Sequence, residues 1–374
     1  MSDQWAQNAC GAHDSVVFTV RGETREVRPT EQLDWAALAA SLRRHLDPNA
    51  IKGLDLSADM TVSQFPGGHS NLTYLVRFGG TELVIRRPPL GPVPPKAHDM
   101  AREFRWLTAL HAVFPLTPRA YWLCEDPAVI GSVFYVMERR RGLVVRHDEP
   151  LTLAGNPDAR RRLSEALVDA LAHLHSLDVS RGPVAELGKP AGFVERQVRG
   201  WAERWQRAKT ADVPDMDAVA GWLAERVPQD PEPPAVVHGD FKLDNVLIDP
   251  LDVGRLVAIF DWEMSALGDP LVDLGIFLAY WSPTAPESSR DTPVITDRPG
   301  YLSKNAIVER YAARSGRDVT AIGFYETFAL FKIAVMVQQI FCRYSRGQTD
   351  DPRFATFGDR VISLARHAAA LAAS

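Results

Sequence analysis

With 374 residues, the chain is too long for one ordinary core and suits two lobes or two domains. Hydrophobic residues make up 46% and charged residues 24%, the ordinary balance of a soluble globular protein. The formal net charge of -5 excludes the basic footprint of a nucleic-acid binder.

Met1 to Cys10 is polar and has no apolar run, so no secretory signal is expected. The apolar stretch Phe328 to Ile340 is interrupted by Lys332, Gln338 and Gln339, and is too short and too polar to span a bilayer. Cys10, Cys124 and Cys342 lie far apart and in no metal-ligand spacing, which fits a reduced, cytoplasmic setting. Neither nucleic acid nor membrane is expected as a partner.

In chain order, Leu33 to Leu46 reads as an amphipathic leading helix. Extended runs follow at Met60–Phe65, Thr73–Phe78 and Glu82–Arg86, separated by Gly67-Gly68 and Gly79-Gly80. A proline-rich loop, Pro88 to Pro95, leads into a helix over His98–Phe114, with Met100, Phe104, Leu107 and Leu110 at helical spacing. Val133–Met137 is a further strand. After Gly142 the periodicity turns helical, at Ala159–Ser176 and Val194–Lys209. Short strands at Ala235–His238, Val246–Ile248 and Val257–Phe260 enclose polar loops, and the chain from Leu271 on is mainly helical. A β-rich part followed by an α-rich part predicts an α+β fold: a small antiparallel lobe with one packed helix, then a larger helical lobe.

The strongest chemical signal is His238-Gly-Asp-Phe-Lys-Leu-Asp-Asn245, followed by Ile259-Phe-Asp-Trp-Glu263. Phosphoryl transfer needs a carboxylate to orient the attacking hydroxyl, hard oxygen ligands for magnesium, and a cation to steady the transferred group. Asp240 suits the first role. Asn245, across a tight loop, and Asp261, at the end of the next strand, suit the second. Lys242 suits the third.

This ordered set resembles the catalytic loop and magnesium-binding aspartate of protein kinases. The His-Gly-Asp and Asp-Trp-Glu forms, with Gly268-Asp-Pro270 and Asp273-Leu274, resemble the aminoglycoside phosphotransferase and choline kinase superfamily. The resemblance implies a protein-kinase-like two-lobed fold and an enzyme using ATP (or another nucleoside triphosphate) with Mg2+. It implies an extension over residues 1–29, a nucleotide-binding lobe over 30–138 and a catalytic lobe over 139–374. Gly67, Gly68, Ser70 and Asn71 then stand where the phosphate-covering loop stands. Leu83-Val-Ile-Arg86 places an arginine at the usual lysine, with Arg87 as a rival. Glu103 shares a helix face with Met100 and Leu107 and would pair with Arg86. Met137-Glu138 resembles the hinge that holds adenine. His175 and His238 read as structural histidines. Trp201 and Trp205 read as either an acceptor wall or a core stripe, and Arg139–Arg141 as a solvated face.

A narrower resemblance is carried by Arg86-Arg-Pro-Pro89, Phe277-Leu-Ala-Tyr-Trp281, Ala329-Leu-Phe-Lys332 and Arg343-Tyr through Gly347-Gln-Thr349. These are similar to the kinase-like domain that occurs alone in bacteria and fused to acyl-CoA dehydrogenases in animals. It implies a small-molecule acceptor, a hydroxyacyl-CoA or hydroxy acid, and a functional link to an acyl-CoA dehydrogenase. The alternative acceptors are aminoglycosides or other amino alcohols. They are disfavoured because Phe193–Trp222 carries arginines rather than a dense acidic cluster. A pseudokinase without turnover would be signalled by loss of Asp240, Asn245 or Asp261, and all three are present.

Overall fold

The computed structural model describes residues 23–66, 71–90, 98–146, 149–281, 294–349 and 351–374. Helix α1 (Trp35–His45) starts where the Asp34 carboxylate accepts from the Ala37 amide at 2.8 Å. Strands β1 (Met60–Gln64), β2 (Leu72–Phe78), β3 (Thr81–Arg87), β4 (Ala120–Cys124) and β5 (Phe134–Glu138) form one sheet in the order β1-β2-β3-β5-β4. Every pairing in it is antiparallel.

The period-2 alternation of these strands decides which side chains face the site. Tyr74, Val76, Leu83, Ile85 and Val136 pack on one face with Leu38 and Leu42 of α1. Leu75, Val84, Tyr135 and Met137 pack on the other, joining the main core. Helix α2 (Met100–His111), capped by Asp99, covers that second face with Trp106, Leu107 and Leu110. Arg25, in the expected extension, exchanges two backbone hydrogen bonds with Gln64 at 2.8 Å each, so this stretch continues the sheet edge.

Beyond β5 lie the short β6 (Leu143–Val144) and helices α3 (Pro157–Leu174), α4 (Phe193–Ala208) and α5 (Pro214–Glu225). Strands β7 (Ala235–Val237), β8 (Val246–Ile248), β9 (Leu256–Ile259) and β10 (Ala266–Gly268) follow, β6-β8-β9 forming one small sheet and β7-β10 another. Helices α6 (Leu271–Trp281), α7 (Lys304–Ser315), α8 (Ile322–Ser345) and α9 (Phe357–Ala373) complete the chain. The small antiparallel sheet and the larger helical part are the expected α+β fold. No helix among the described residues is long and apolar enough to cross a membrane.

Helix α6 is buried on nearly every side and packs against α8. Gly275 permits the approach, because a Cβ there would lie 2.4 Å from the Tyr325 carbonyl oxygen. Gly275→Ala is therefore expected to cost ~1–3 kcal/mol as overpacking. A urea midpoint unchanged from wild type would refute this packing argument.

Candidate active site

The loop after β7 is built on buried carboxylate chemistry. Asp273 of α6, wholly inaccessible, accepts from the amides of His238 at 2.6 Å and Gly239 at 2.7 Å. The same carboxylate faces His175 Nε2 at 3.2 Å, while His175 Nδ1 lies 2.7 Å from the Tyr311 hydroxyl. Burial holds both His175 and His238 below the ordinary histidine range. Each ring therefore serves as one donor and one acceptor. For His238 the partners are the Phe260 carbonyl, 2.9 Å from Nε2, and the Asp240 amide, 3.2 Å from Nδ1. Both histidines are structural.

Asp240 Oδ2 accepts from Lys242 Nζ at 2.7 Å and from Asn245 Nδ2 at 3.0 Å. Lys242 lies 4.8 Å from the centroid of the Tyr280 ring. Burial works against the Lys242 ammonium, but Tyr280 and Asp240 raise it above its ordinary range. The Asn245 amide nitrogen also meets the Asp240 carbonyl at 2.9 Å. Its NH2 is thus committed, and its oxygen is the atom left for a cation.

The Phe260 amide donates to the Asn245 carbonyl at 2.8 Å, which places Asp261 beside that loop. Asp261 adopts a left-handed backbone, φ 69°, a conformation costly for a non-glycine residue. Its Oδ1 accepts from Arg86 at 2.5 Å. Burial raises the Asp261 carboxyl; Arg86 opposes this, while Glu263 and Asp240 add to it. The excess negative charge suits a divalent cation. Among the described residues no three His, Cys, Asp or Glu side chains converge as a metal cluster. Asn245 and Asp261 together match magnesium's habit of taking few protein ligands and filling its octahedron from phosphate and water.

Arg86 is the arginine that faces this site. Its Nε lies 3.1 Å from Glu103 Oε2, but neither atom is aligned for a hydrogen bond, so the contact is Coulombic. Burial pushes Glu103 up to about 7 against the pull of Arg86, and its Oε1 accepts from the Trp262 amide at 3.2 Å. Arg87, one residue on, turns to the opposite face and donates to the Pro88 and Ile130 carbonyls at 3.1 and 2.7 Å.

Asn71 is buried; its Nδ2 donates to Glu263 at 2.9 Å, and among the described residues its Oδ1 meets no partner. Gly67, Gly68 and Ser70 lie outside the described residues. Met137 pairs with Val84 on one side and Ala120 on the other, and the Glu138 amide donates to the Arg119 carbonyl at 2.8 Å. A nucleotide base would therefore have to use the Glu138 carbonyl or the residues that follow. Trp201 and Trp205 are both buried, and Trp205 Nε1 donates to Asp217 at 2.8 Å. They belong to the core, although Trp201 still carries Arg204 4.3 Å and Lys332 5.5 Å from its ring centroid. The Arg139–Arg141 run is bound in ion pairs to Glu23, Glu138 and Glu82 rather than solvated throughout.

Sequence reasoning missed Glu263 and Arg102. Arg102 donates to the Glu263 and Ser265 carbonyls and so ties α2 to the segment after Asp261. The acidic residue two positions after Asp261 was a visible signal for Glu263. Nothing local marks Arg102.

The model of the family described as "Phosphotransferase enzyme family" (APH) matches residues 61–303. The chain belongs to this phosphotransferase family. It is 32% identical over 353 residues to the human protein named acyl-CoA dehydrogenase family member 11, covering 93% of this chain and 44% of that one. The chain thus spans about 44% of the length of that relative. A crystal structure of a putative aminoglycoside phosphotransferase from Ralstonia eutropha is 29% identical with a TM-score of 0.76, covering 91% of this chain and 99% of that one. Aminoglycoside phosphotransferase APH(4)-Ia, as a thermostable mutant in ternary complex with AMP-PNP and hygromycin B, shares the fold at 17% identity. Its TM-score is 0.52, and the match covers 83% of this chain and 94% of that one. The protein has the kinase-like fold of its family, and the family is one of transferases acting on hydroxyl groups.

Proposed function

We propose that this chain transfers the γ-phosphate of ATP, held with Mg2+, to a hydroxyl of an anionic acyl substrate, a hydroxyacyl-CoA or hydroxy acid. The observation that carries the reading is the charge around Asp240. Lys242 is 2.7 Å from it, and Lys332 lies within electrostatic reach of Asp240, Lys242 and Arg204. A polycationic aminoglycoside would meet like charge here, whereas a carboxylate or coenzyme A thioester would be attracted. A cavity of about 180 Å³ is lined by Leu243, Phe277, Tyr280 and Trp281, with two cations, Arg146 and Lys242, against one carboxylate, Asp244, in its wall, and this suits an apolar chain bearing a negative group.

In this reading Asp240 orients the acceptor hydroxyl and takes its proton, and Lys242 steadies the transferred group. Arg86, positioned by Glu103, holds the nucleotide phosphates, with Gly67, Gly68 and Ser70 as further phosphate-binding residues. Asn71, bound to Glu263, belongs to the same nucleotide site, and adenine lies against Met137 and Glu138. Asn245 and Asp261 would hold the magnesium, which supplies charge neutralisation on the phosphates. Residues 30–138 form the nucleotide-binding lobe and 139–374 the catalytic lobe, with 1–29 as an extension. The fold neighbour bound to AMP-PNP supports ATP as co-substrate. The acyl-CoA dehydrogenase name of the human relative supports the acyl acceptor and a dehydrogenase as functional partner. A phosphorylated hydroxyl is a good leaving group, which suits a later elimination.

The test is ADP release from Mg·ATP with 4-hydroxyacyl-CoA thioesters, the free 4-hydroxy acids and hygromycin B supplied separately. Turnover with an acyl acceptor and none with hygromycin B is expected. The reverse pattern overturns the acceptor assignment. Within the nucleotide site, Arg86→Ala should weaken Mg·ATP binding and turnover. Arg87→Ala should lower the thermal midpoint and leave Mg·ATP affinity intact, because its guanidinium donates, among the described residues, to the backbone carbonyls of Pro88 and Ile130. Equal, negligible effects of the two variants on nucleotide affinity, read by calorimetry, would remove Arg86 from the site.

A further inference from the structure

Lys332 sits in the middle of α8 and is 4% exposed. Burying an ammonium costs several kcal/mol unless something compensates it. Its hydrogen bond among the described residues is to the carbonyl oxygen of Gly239. That carbonyl belongs to the peptide unit joining Gly239 to Asp240. The nitrogen of the same unit, the Asp240 amide, is held by His238 Nδ1 at 3.2 Å. A peptide unit is planar, so fixing its oxygen and its nitrogen fixes the plane and the direction in which the Asp240 Cα leaves it.

The preceding unit is fixed too. The Gly239 amide is bound to Asp273 at 2.7 Å, and its φ of 84° admits no ordinary side chain. A Cβ at Gly239 would lie 2.6 Å from the Met264 carbonyl oxygen. The loop is therefore gripped from α6 through Asp273 and from α8 through Lys332. Burial lowers the Lys332 ammonium to about 8 even though Asp240 and Asp273 pull it upward, so its burial is a cost accepted at this place.

We propose that Lys332 is a positioning residue for phosphoryl transfer, acting through the Gly239 carbonyl to aim the Asp240 carboxylate at the acceptor hydroxyl. This rests on the phosphotransferase reading given above. Efficient transfer depends on alignment more than on basicity, so a small rotation of this plane reduces the rate without changing the nucleotide site. Among the described residues the Lys332 hydrogen bond goes to Gly239 and to none of Arg86, Asp261 and Asn245.

The experiment is a double-mutant cycle between Lys332→Met, which keeps the apolar stem and removes the donor, and Asp240→Asn. Turnover of Mg·ATP is measured with a 4-hydroxyacyl-CoA and, in parallel, with water as acceptor. Lys332→Met should lower kcat by about 10–100-fold, the range found when groups orienting a functional ligand are removed. The KM for ATP should not change. In the Asp240→Asn background the same substitution should cost little further, because the group it aims is gone. A merely structural lysine would give equal losses in both backgrounds, and that result overturns the proposal. If Lys332→Met does not fold, Lys332→Leu, which likewise removes the donor, takes its place in the cycle under the same criterion. Absence of all turnover in the wild type would overturn the phosphotransferase reading together with this one. Full turnover in both wild type and Lys332→Met would overturn this one alone.

Discussion

Asp240→Asn is expected to lower kcat by ~10²–10⁴-fold, the usual contribution of a positioned general base. Asparagine keeps the shape and one acceptor oxygen, but it loses the charge that pairs with Lys242 at 2.7 Å. Lys242 then has no counter-ion at Asp240, and the hydroxyl has no group to take its proton. Nucleotide affinity should stay nearly unchanged, because the Arg86–Glu103 and Arg86–Asp261 contacts do not include Asp240. The measurement is steady-state turnover on a verified acceptor beside a separate Mg·ATP titration. Full activity in Asp240→Asn would make the kinase-type mechanism untenable.

Asp261→Asn should fail differently. It removes a charged oxygen from the magnesium site and the partner of Arg86, so both Mg·nucleotide affinity and turnover should fall. The affinity loss should reach at least the ~10–100-fold that supporting partners of a metal site are worth. Stability should move the other way. The folded Asp261 carboxyl titrates above its unfolded value, chiefly because it is buried. A raised pKa means that the stabilising contribution is present below the unfolded value, about 3.9, and is lost as pH rises through the folded one. Burial therefore favours the uncharged form of this carboxyl in the free protein. Asp261→Asn should leave its thermal midpoint equal or higher, while the midpoint no longer rises when Mg·ATP is added. A ligand-dependent rise of wild-type size in the variant would place the metal elsewhere.

The catalytic loop and Asp261 were legible because their functional groups lie in two short runs separated by a single hairpin, where spacing alone sets geometry. Arg86 and Glu103 were legible through periodicity. Strand alternation puts Arg86 on the face opposite Arg87, and the helical repeat puts Glu103 on the buried stripe of α2. Four of the named elements escaped: the short strands β6 and β10, strand β4 and helix α5. Strand β4 is half-exposed along four of its five residues and shows no alternation, as expected of an edge strand. Helix α5 begins with Pro214, which reads as a breaker although the first helical turn tolerates it. The bonds of Asn71 and Arg102 to Glu263 join residues 192 and 161 positions apart, and no local pattern encodes them. Asp273 and Lys332 did leave a trace. Asp273 is the lone charge of α6, and Lys332 is the lone charge of the apolar stretch Phe328–Ile340 within α8; a buried charge is costly unless it is paired, and both grip the same loop.

Helix α2 is fastened to the segment after Asp261 by three bonds, from Arg102 to two carbonyls and from the Trp262 amide to Glu103. Protein kinases gain on–off control by swinging the corresponding helix away from its site. Here that swing would break all three bonds, each involving a charged group and worth ~1.5–3 kcal/mol. It would also strand Arg86 between partners. A helix fixed in this way keeps Glu103 beside Arg86 at rest, so the pair stands assembled in the free protein.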